Sequence, residues 1–191
     1  MLTAVILTAG ESKRMGFPKA LLKYRQTTFL ELILTRLEKA GIKNRLVVLG
    51  AEAERIKKET RLSGVKVVIN RNFKKGQLSS LKTALAELTG DINGILLALV
   101  DHPLVKVSTY RLLIDAWINS PGTIVIPEFQ GRGGHPVIFD RVFFSQLMNA
   151  PEEQGARYVV YNNQDRVIRV KVQDPGVRED IDSPEDYQRI K

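Results

Sequence analysis

Short apolar runs rich in β-branched residues recur along the chain, separated by longer stretches in which apolar residues return every three or four positions. The first pattern predicts buried strands and the second predicts helices with one apolar face. The predicted strands cover residues 3–7, 45–49, 65–69, 94–100 and 123–126. Because strands and helices alternate, the pattern predicts an α/β fold whose mostly parallel sheet is covered by helices on both faces.

Three apolar stripes mark the predicted helices between these strands, and glycine or proline follows each stripe as a stop signal. They lie at residues 29–37, 78–88 and 112–117, the last with Leu112, Leu113, Ala116 and Trp117 on one face. The later part of the chain is less regular. It predicts a strand over 135–139, a short helix over 141–148, a strand over 167–172 and a capped helix beginning at Ser183.

Composition narrows the function classes. The 191 residues, 43% of them hydrophobic, predict a single domain spanning residues 1–191. No apolar stretch approaches the roughly 20 residues that cross a bilayer, and no targeting segment precedes the first strand, so we expect a cytoplasmic protein without membrane contact. With no cysteine and only two histidines, any metal should be bound by oxygen atoms.

The net charge of +8 raises the question of nucleic-acid binding. Many of the cations alternate with acids on helical stretches such as residues 52–59, which is typical of a solvated helix face. No zinc finger, helix-turn-helix or aromatic-studded basic strand is present. We therefore expect no nucleic-acid partner.

The loop after the first predicted strand is glycine-rich and basic. It contains Gly10, Arg14, Gly16 and Lys19. Glycines let the backbone approach a phosphate closely, exposed N–H groups bind anions, and the cations neutralise phosphate charge. The dinucleotide-binding fingerprint fails because Ser12 stands in the second glycine position, and no Gly-Lys-Ser/Thr closes a Walker A loop. The loop is either a nucleoside triphosphate site or an ordinary basic surface loop.

Asp101 follows the most apolar predicted strand of the chain. Ligands of open α/β sheets bind beyond the carboxyl ends of the strands, so the loops that start at Thr8, Asn70 and Asp101 should share one edge. A carboxylate there is placed to hold Mg²⁺, which prefers one or two carboxylates, water and phosphate oxygens. The alternative is that Asp101 only caps the following helix.

A second group of acids, residues 179–186, precedes the terminal helix. If this segment is a strand, Asp180 and Asp182 point to the same side. Either could complete a metal site with Asp101. Asp182 or Ser183 could equally serve as the helix N-cap.

The first loop, Leu-Thr-Ala-Gly-x-Ser-x-Arg-Met-Gly-x-x-Lys, resembles the signature of the molybdenum cofactor nucleotidyltransferase-like proteins. Further matching motifs follow in the same order over almost the full length, at residues 76–81, 101–103, 134–139, 155–157 and 180–186. The resemblance implies a three-layer α/β/α Rossmann-like nucleotidyltransferase fold. Within this group the pattern is most similar to the molybdenum cofactor cytidylyltransferases.

That resemblance implies an Mg²⁺-dependent transfer of a nucleotidyl group from CTP to a molybdopterin-type acceptor, with release of pyrophosphate. By position, Arg14 and Lys19 would hold the triphosphate, and Asp101 with Asp182 would place the Mg²⁺ ion. Gly10 and Ser12 would take part in nucleotide binding. A molybdoenzyme or its chaperone is the implied protein partner.

The resemblance also implies which residues contact the two substrates. Backbone groups of Leu7, Thr8 and Ala9 would meet the base, and alanine at position 9 is the cytosine type, which favours CTP over GTP. Ser79 and Ser80 would lie near base and ribose, although both could simply cap the helix. The segment with Gly134 and His135 would face the acceptor, although a lone histidine is more often structural.

Two other functions stay open at this point. The same fold and metal could serve another nucleoside triphosphate, or a sugar phosphate or other phosphorylated acceptor, because the sequence does not reveal the geometry that selects the acceptor. A non-enzymatic chaperone that binds the nucleotide or cofactor is the other alternative. The presence of two cations together with two acids argues against a pure binder.

Overall fold

The computed structural model describes every residue from Met1 to Lys191. Its strands are β1 (Leu2–Thr8), β2 (Lys23–Tyr24), β3 (Thr27–Thr28), β4 (Asn44–Leu49), β5 (Lys66–Ile69), β6 (Gly94–Leu99), β7 (Ile124–Phe129), β8 (Arg132–Gly133), β9 (Val137–Asp140) and β10 (Val167–Lys171). Its α-helices are α1 (Phe29–Lys39), α2 (Ala53–Glu59), α3 (Gln77–Ala86), α4 (Val107–Ile118), α5 (Phe144–Asn149), α6 (Arg157–Tyr161) and α7 (Pro184–Ile190). None of these helices combines the length and apolar character needed to span a bilayer.

An eight-stranded sheet forms the centre of the molecule, and its main path runs in the order β10-β7-β9-β6-β1-β4-β5. β1 is parallel to both β4 and β6, β4 is parallel to β5, and β10 is parallel to β7. β9 runs antiparallel between β6 and β7, and β8 pairs antiparallel with β7. The sheet is therefore mixed but mostly parallel, as the sequence predicts.

Each face of the sheet has its own apolar core. Along β1, Ala4 and Ile6 belong to one cluster, whereas Val5 and Leu7 belong to the other, because successive side chains of a strand point to opposite faces. The first cluster includes residues of α1, α2 and α4, and the second includes residues of α3, α5 and α6. This three-layer α/β/α arrangement confirms the predicted fold class.

The ends of α1 show how the local sequence sets its boundaries. Thr28 is the N-cap, and its hydroxyl and the Glu31 side chain form a reciprocal capping box. The helix stops at Lys39, just before Gly41, whose φ of 95° favours glycine. The predicted stop at this glycine is thus confirmed.

The antiparallel direction of β9 has a consequence for the functional edge. Because β9 opposes β6, the residues that precede β9 lie at the same sheet edge as the residues that follow β6. Val137 at the start of β9 is paired with Leu97 near the end of β6. The segment with Gly134 and His135 is thereby brought to the edge where Asp101 lies.

Two local predictions are wrong. On α4 the predicted stripe residues Leu113, Ala116 and Trp117 pack on the core, but Leu112 is 48% exposed and Tyr110 is buried in its place. Residues 179–183 form no strand, so the argument that alternation points Asp180 and Asp182 to the same side does not hold. The short β2–β3 hairpin between the first loop and α1 was also not expected.

Candidate functional site

A cavity of about 320 Å³ opens at the carboxyl ends of β1 and β6. The loops after Thr8 and after Leu99 both contribute to its wall, because these two strands are parallel neighbours and end at the same sheet edge. Most of the residues predicted to bind nucleotide or metal line this first cavity. They are Leu7, Thr8, Ala9, Gly10, Ser12, Arg14, Lys19, Ser80, Asp101 and Asp182.

The conformation of the first loop is fixed by a hydrogen bond within the loop and by close contacts with residues 50 and 51. Ser12 adopts a left-handed conformation with φ of 51°, and its hydroxyl accepts a hydrogen bond of 3.2 Å from the Lys19 N–H. The Ala9 carbonyl oxygen accepts a hydrogen bond of 3.1 Å from the Ala51 N–H. Gly50 lies so close that a Cβ there would be 2.6 Å from the Ala9 carbonyl oxygen. The loop therefore returns on itself and presents Lys19 to the cavity.

Lys19 bridges the two acids of the first cavity. Its Nζ atom lies 3.4 Å from Oδ2 of Asp101 and also forms an ion pair with Oδ1 of Asp182. Only 12% of the Lys19 side chain is exposed, so this charge is screened less by solvent than a surface lysine would be. The paired-acid arrangement expected from the sequence is thus present, with one ammonium group between the carboxylates.

The position of Asp182 depends on contacts of the terminal segment. The Ile181 N–H donates 2.8 Å to the carbonyl oxygen of Asp101, which holds the segment beside β6. Ser183, not Asp182, is the N-cap of α7, where it forms a capping box with Asp186. The Asp186 carboxylate also accepts 3.1 Å from the Asp182 N–H. The Asp182 carboxylate is therefore directed to Lys19 and Arg14 instead of capping the helix.

Asp101 is also not a helix cap, because α4 begins six residues later with Lys106 at its N-cap. Its carboxylate has two partners, Lys19 at Oδ2 and Nδ1 of His102 at Oδ1, the latter at 3.0 Å. Burial alone would raise the pKa of Asp101, but the His102 hydrogen bond and the nearby charges of His102 and Lys19 outweigh it and lower that pKa. Asp101 is therefore ionised at neutral pH.

Arg14 differs from Lys19 in its exposure. Its side chain is 74% exposed and forms an ion pair with Oδ2 of Asp182. An exposed arginine with one partner can turn toward a bound anion at small cost, since exposed ion pairs contribute about 0–1 kcal/mol. Lys19 is the fixed cation of the cavity and Arg14 is the exposed one.

The serines of α3 have a structural partner that the sequence analysis did not assign. The buried Asn70 side chain donates 2.9 Å to the Ser79 hydroxyl and 3.0 Å to the Ser80 hydroxyl. Ser79 also donates 2.7 Å to the Gly76 carbonyl, and it does not line the first cavity. Ser80 does line it. Asn70 follows β5 directly, and a polar residue at a strand end was the only signal that could have identified it.

A second cavity of about 790 Å³ adjoins the first, and Gly76 and Gln77 line both. His102, Gly134 and His135 contribute to its wall. Asp180 lines this second cavity, whereas Asp182 lines the first, so the two acids separate. Asp182 is therefore the acid that shares a cation with Asp101.

His135 is held neutral by its surroundings. Burial disfavours the charged imidazolium and, with the nearby charge of His102, lowers the pKa of His135 to about 4. Its ring lies against that of His102 with centroids 5.3 Å apart and an angle of 66° between the planes. The sequence analysis named His102 only as part of a motif. Its adjacency to Asp101 was the available signal.

Gly134 has a packing role. A Cβ at this position would lie 2.1 Å from the carbonyl oxygen of Val177, so only glycine allows the two segments to approach. The His135 N–H then donates 2.9 Å to the same carbonyl. Gly134 thus joins the segment before β9 to the terminal segment that carries Asp182.

The first cavity suits a metal that takes most of its ligands from water and substrate, as Mg²⁺ does. No group of three or more His, Cys, Asp or Glu side chains lies close enough to bind a metal together. Two carboxylates that already share a cation match the preference of Mg²⁺ for one or two carboxylates, with water and substrate phosphates as its other ligands. A metal here would depend on the phosphates that accompany it.

Comparison with known proteins places this geometry in context. The model of the MobA-like NTP transferase domain matches residues 4–167. The nicotine blue oxidoreductase of Paenarthrobacter nicotinovorans is 31% identical over 98% of this chain and 95% of its own length. The molybdenum cofactor cytidylyltransferase of Escherichia coli is 23% identical over 98% of this chain and 94% of its own.

Among solved structures, Rv0371c of Mycobacterium tuberculosis superposes with a TM-score of 0.86. It is 32% identical and the match covers 99% of this chain and 96% of that one. A structure of Rv0371c in complex with manganese superposes with a TM-score of 0.81 at 30% identity, covering 99% and 97% of the two chains. The similarity thus extends over the sheet, the first loop and the terminal segment.

Proposed function

This chain belongs to the MobA-like NTP transferase domain family, and on that basis we propose that it is an Mg²⁺-dependent cytidylyltransferase acting on a molybdopterin-type acceptor. The observation that carries the proposal is the Lys19 ammonium group shared by Asp101 and Asp182 next to a glycine-rich loop. Two acids and a buried cation at one sheet edge suit a metal-bound triphosphate. The relative from Escherichia coli named as a molybdenum cofactor cytidylyltransferase supports the choice of substrates.

The proposed reaction joins the acceptor to the α-phosphate of CTP. A terminal phosphate oxygen of the acceptor attacks the α-phosphorus, a new phosphorus–oxygen bond forms, and the bond to the bridging oxygen of the β-phosphate breaks. Pyrophosphate leaves with that electron pair. Because the attacking phosphate is already an anion at neutral pH, the protein need supply only position and charge neutralisation.

Four charged residues of the first cavity have a role in this scheme. Lys19 and Arg14 bind the triphosphate and neutralise charge that develops on the leaving pyrophosphate. Asp101 and Asp182 hold the metal. Mg²⁺ supplies Lewis-acid activation of the α-phosphate. Lys19 would exchange its carboxylate partners for phosphate oxygens when the nucleotide binds.

For the base, we propose that backbone groups of Leu7, Thr8 and Ala9 form its pocket, with Gly10 and Ser12 nearby and Ser80 toward the ribose. The carbonyls of Leu7 and Ala9 already accept hydrogen bonds of 3.2 Å and 3.1 Å from Val100 and Ala51. A carbonyl oxygen has a second lone pair for a base amino group. Ser79, bonded to Asn70 and Gly76, contributes indirectly by fixing the start of α3.

We place the acceptor in the second cavity. It adjoins the first through Gly76 and Gln77, which brings an acceptor phosphate within reach of the nucleotide. Arg157, Arg169 and Arg178 line it together with the acids Glu152, Glu153 and Asp180, and the three guanidinium groups would bind the acceptor phosphate. Gly134 and His135 form part of its wall. The product would pass to a molybdoenzyme or its chaperone.

The test is a pyrophosphate-release screen of CTP, GTP, ATP and UTP against molybdopterin and a set of sugar phosphates. We expect release with CTP and molybdopterin, lost in Asp101→Asn and retained in Asp91→Asn, which replaces an exposed aspartate at a distant turn. Turnover of another nucleotide or a sugar phosphate would keep the reaction class and replace the substrates. Tight CTP binding without pyrophosphate release would favour the chaperone alternative.

A redox function is the second candidate, because the relative at 31% identity is named nicotine blue oxidoreductase. The first loop argues against a dinucleotide fingerprint, since Ser12 and three cations occupy the region where such a site needs glycines and a helix. Consumption of a reduced nicotinamide cofactor with nicotine blue, in the absence of any pyrophosphate release, would replace the transferase proposal.

A further inference from the structure

His102 stands between the two cavities. Its side chain is 11% exposed, its Nδ1 atom lies 3.0 Å from Oδ1 of Asp101, and it forms part of the wall of the second cavity. Asp101, the residue before it, lines the first cavity. The proposed transfer steps themselves do not use the His102 side chain.

The hydrogen bond between these neighbours has a defined direction. An ionised carboxylate only accepts hydrogen bonds, so Nδ1 of His102 is the donor. With Oδ1 engaged in this way, Oδ2 is the oxygen that remains on the side of Lys19. The hydrogen bond therefore fixes the rotation of the carboxyl group about its Cβ–Cγ bond.

We propose that His102 is a positioning residue that orients the Asp101 carboxylate, so that Oδ2 faces the point shared with Lys19 and Asp182 where the metal binds. The inference rests on the proposed function, because it requires Asp101 to be a metal ligand. A carboxylate held by an outer hydrogen bond loses less rotational freedom when it binds a cation, and removal of such partners typically lowers metal affinity about 10–100-fold.

His135 completes this arrangement by supporting the imidazole of His102. The two rings are in edge-to-face contact with their centroids 5.3 Å apart. The backbone N–H of His135 donates a hydrogen bond of 2.9 Å to the Val177 carbonyl, which anchors the residue. An edge-to-face pair needs a flat ring at position 135 but no charge. Phenylalanine at position 135 should therefore preserve the support, and alanine should remove it.

The experiment measures Mn²⁺ affinity by electron paramagnetic resonance in the presence of a non-hydrolysable CTP analogue, alongside affinity for the same analogue in EDTA. We expect His102→Phe to weaken Mn²⁺ binding about tenfold and to leave metal-free nucleotide binding unchanged. His102→Asn can place an amide N–H near the position of Nδ1, and should bind Mn²⁺ within about threefold of the parent protein. His135→Ala should resemble His102→Phe, and His135→Phe should resemble the parent.

Asp101→Asn separates the possible failures, and thermal unfolding checks that each variant is folded. If Asp101→Asn loses Mn²⁺ affinity but His102→Phe does not, the positioning role is wrong and the metal role of Asp101 stands. Equal losses in His102→Asn and His102→Phe would also overturn the positioning role, since the donor would then be irrelevant. If Asp101→Asn keeps full Mn²⁺ affinity, both the metal site and the inference fail.

Discussion

The Ile181 N–H donates a hydrogen bond of 2.8 Å to the carbonyl oxygen of Asp101. This contact joins the end of a central strand to a segment near the carboxyl terminus, and it places Asp182 across Lys19 from Asp101. Ile181 is itself buried in the core cluster on the α1 side of the sheet. The candidate metal site is therefore assembled from two distant parts of the chain, and its geometry depends on how firmly the terminal segment is held.

Asp186 should control both acid stability and the placement of Asp182. Hydrogen bonds from Ser183 and from the Asp182 and Ser183 N–H groups, with Arg189 nearby, lower the pKa of Asp186 from 3.8 to about 2. Because the pKa of Asp186 is lower in the folded state than in the unfolded state, its ionised carboxylate stabilises the fold above about pH 4. This stabilisation is lost as the pH falls from about 4 toward 2. In Asp186→Ala we expect a lower Tm at pH 7 and a difference from the parent protein that shrinks over that range.

The same variant should reduce transfer activity, since the Asp182 N–H loses its acceptor and a displacement near 1 Å can cost up to about 100-fold in rate. Glu185→Ala is the matched control, because it removes an exposed acid from the same first turn of α7. Equal effects of the two variants on Tm and on rate would contradict a specific role for Asp186.

Lys19→Met should change metal binding and rate in opposite directions. A unit charge about 4 Å away is worth about 1 kcal/mol even in water and more where solvent is partly excluded, so removing the ammonium group should raise Mn²⁺ affinity without nucleotide by roughly tenfold. The transfer rate should fall about 100-fold or more, because the cation proposed to neutralise the leaving pyrophosphate is lost.

Mn²⁺ titration followed by electron paramagnetic resonance measures the first effect of Lys19→Met, and pyrophosphate release measures the second. Lys58→Met serves as the control, since Lys58 is an exposed lysine of α2 that lines neither cavity. A fall in nucleotide-free Mn²⁺ affinity in Lys19→Met would show that the lysine does not compete for the metal position.

His135 should make stability depend on pH between about 4 and 6.5. Its folded pKa of about 4 lies below the ordinary value of 6.5, so the unfolded chain binds a proton first as pH falls, and the folded state loses stability across this range. A shift of this size corresponds to a loss of up to about 3 kcal/mol. The difference in unfolding free energy between parent and His135→Phe, measured with urea at pH 4 to 7, should show this slope. A constant difference would contradict it.

Gly134→Ala should destabilise the fold by about 3 kcal/mol or more, because the new Cβ would meet the Val177 carbonyl oxygen at 2.1 Å and neither backbone can yield easily. The matched control is Gly131→Ala. Gly131 has a φ of 75° but nothing within 4 Å of its Cβ position, so only about 1–2 kcal/mol of conformational cost is expected. Urea unfolding of both variants provides the comparison, and equal losses would argue against the close approach.

Position along a strand explains why part of the site could be predicted. Thr8 and Asp101 follow parallel neighbours, β1 and β6, so strand prediction alone places them at one sheet edge. The choice between Asp180 and Asp182 could not be made in this way. It depends on the hydrogen bond from Ile181 to Asp101 and on the capping box of α7, both of which require the folded chain.

The contact between His102 and His135 was also outside the reach of sequence reasoning. It exists because β9 enters the sheet antiparallel between β6 and β7, and strand order cannot be derived from hydrophobic spacing. Leu112 shows the same limit on a smaller scale. The apolar stripe of α4 does not reveal which of its members the sheet covers, and packing buries Tyr110 while Leu112 stays exposed. Local patterns set the elements, and long-range contacts set which side chains meet.

The two cavities are built largely from different segments of the chain. The first cavity is built by the loop after β1, the end of β6 and the terminal segment, whereas residues 133–135 and 152–157 enter only the second. Residues 152–157 can change composition while Lys19, Asp101 and Asp182 keep their geometry, whereas Gly134 and His135 contact the segments that carry the two acids. Exchanging residues 152–157 between relatives should therefore alter the cavity proposed for the acceptor and leave the first cavity unchanged, so the two halves of the proposed site can be varied separately.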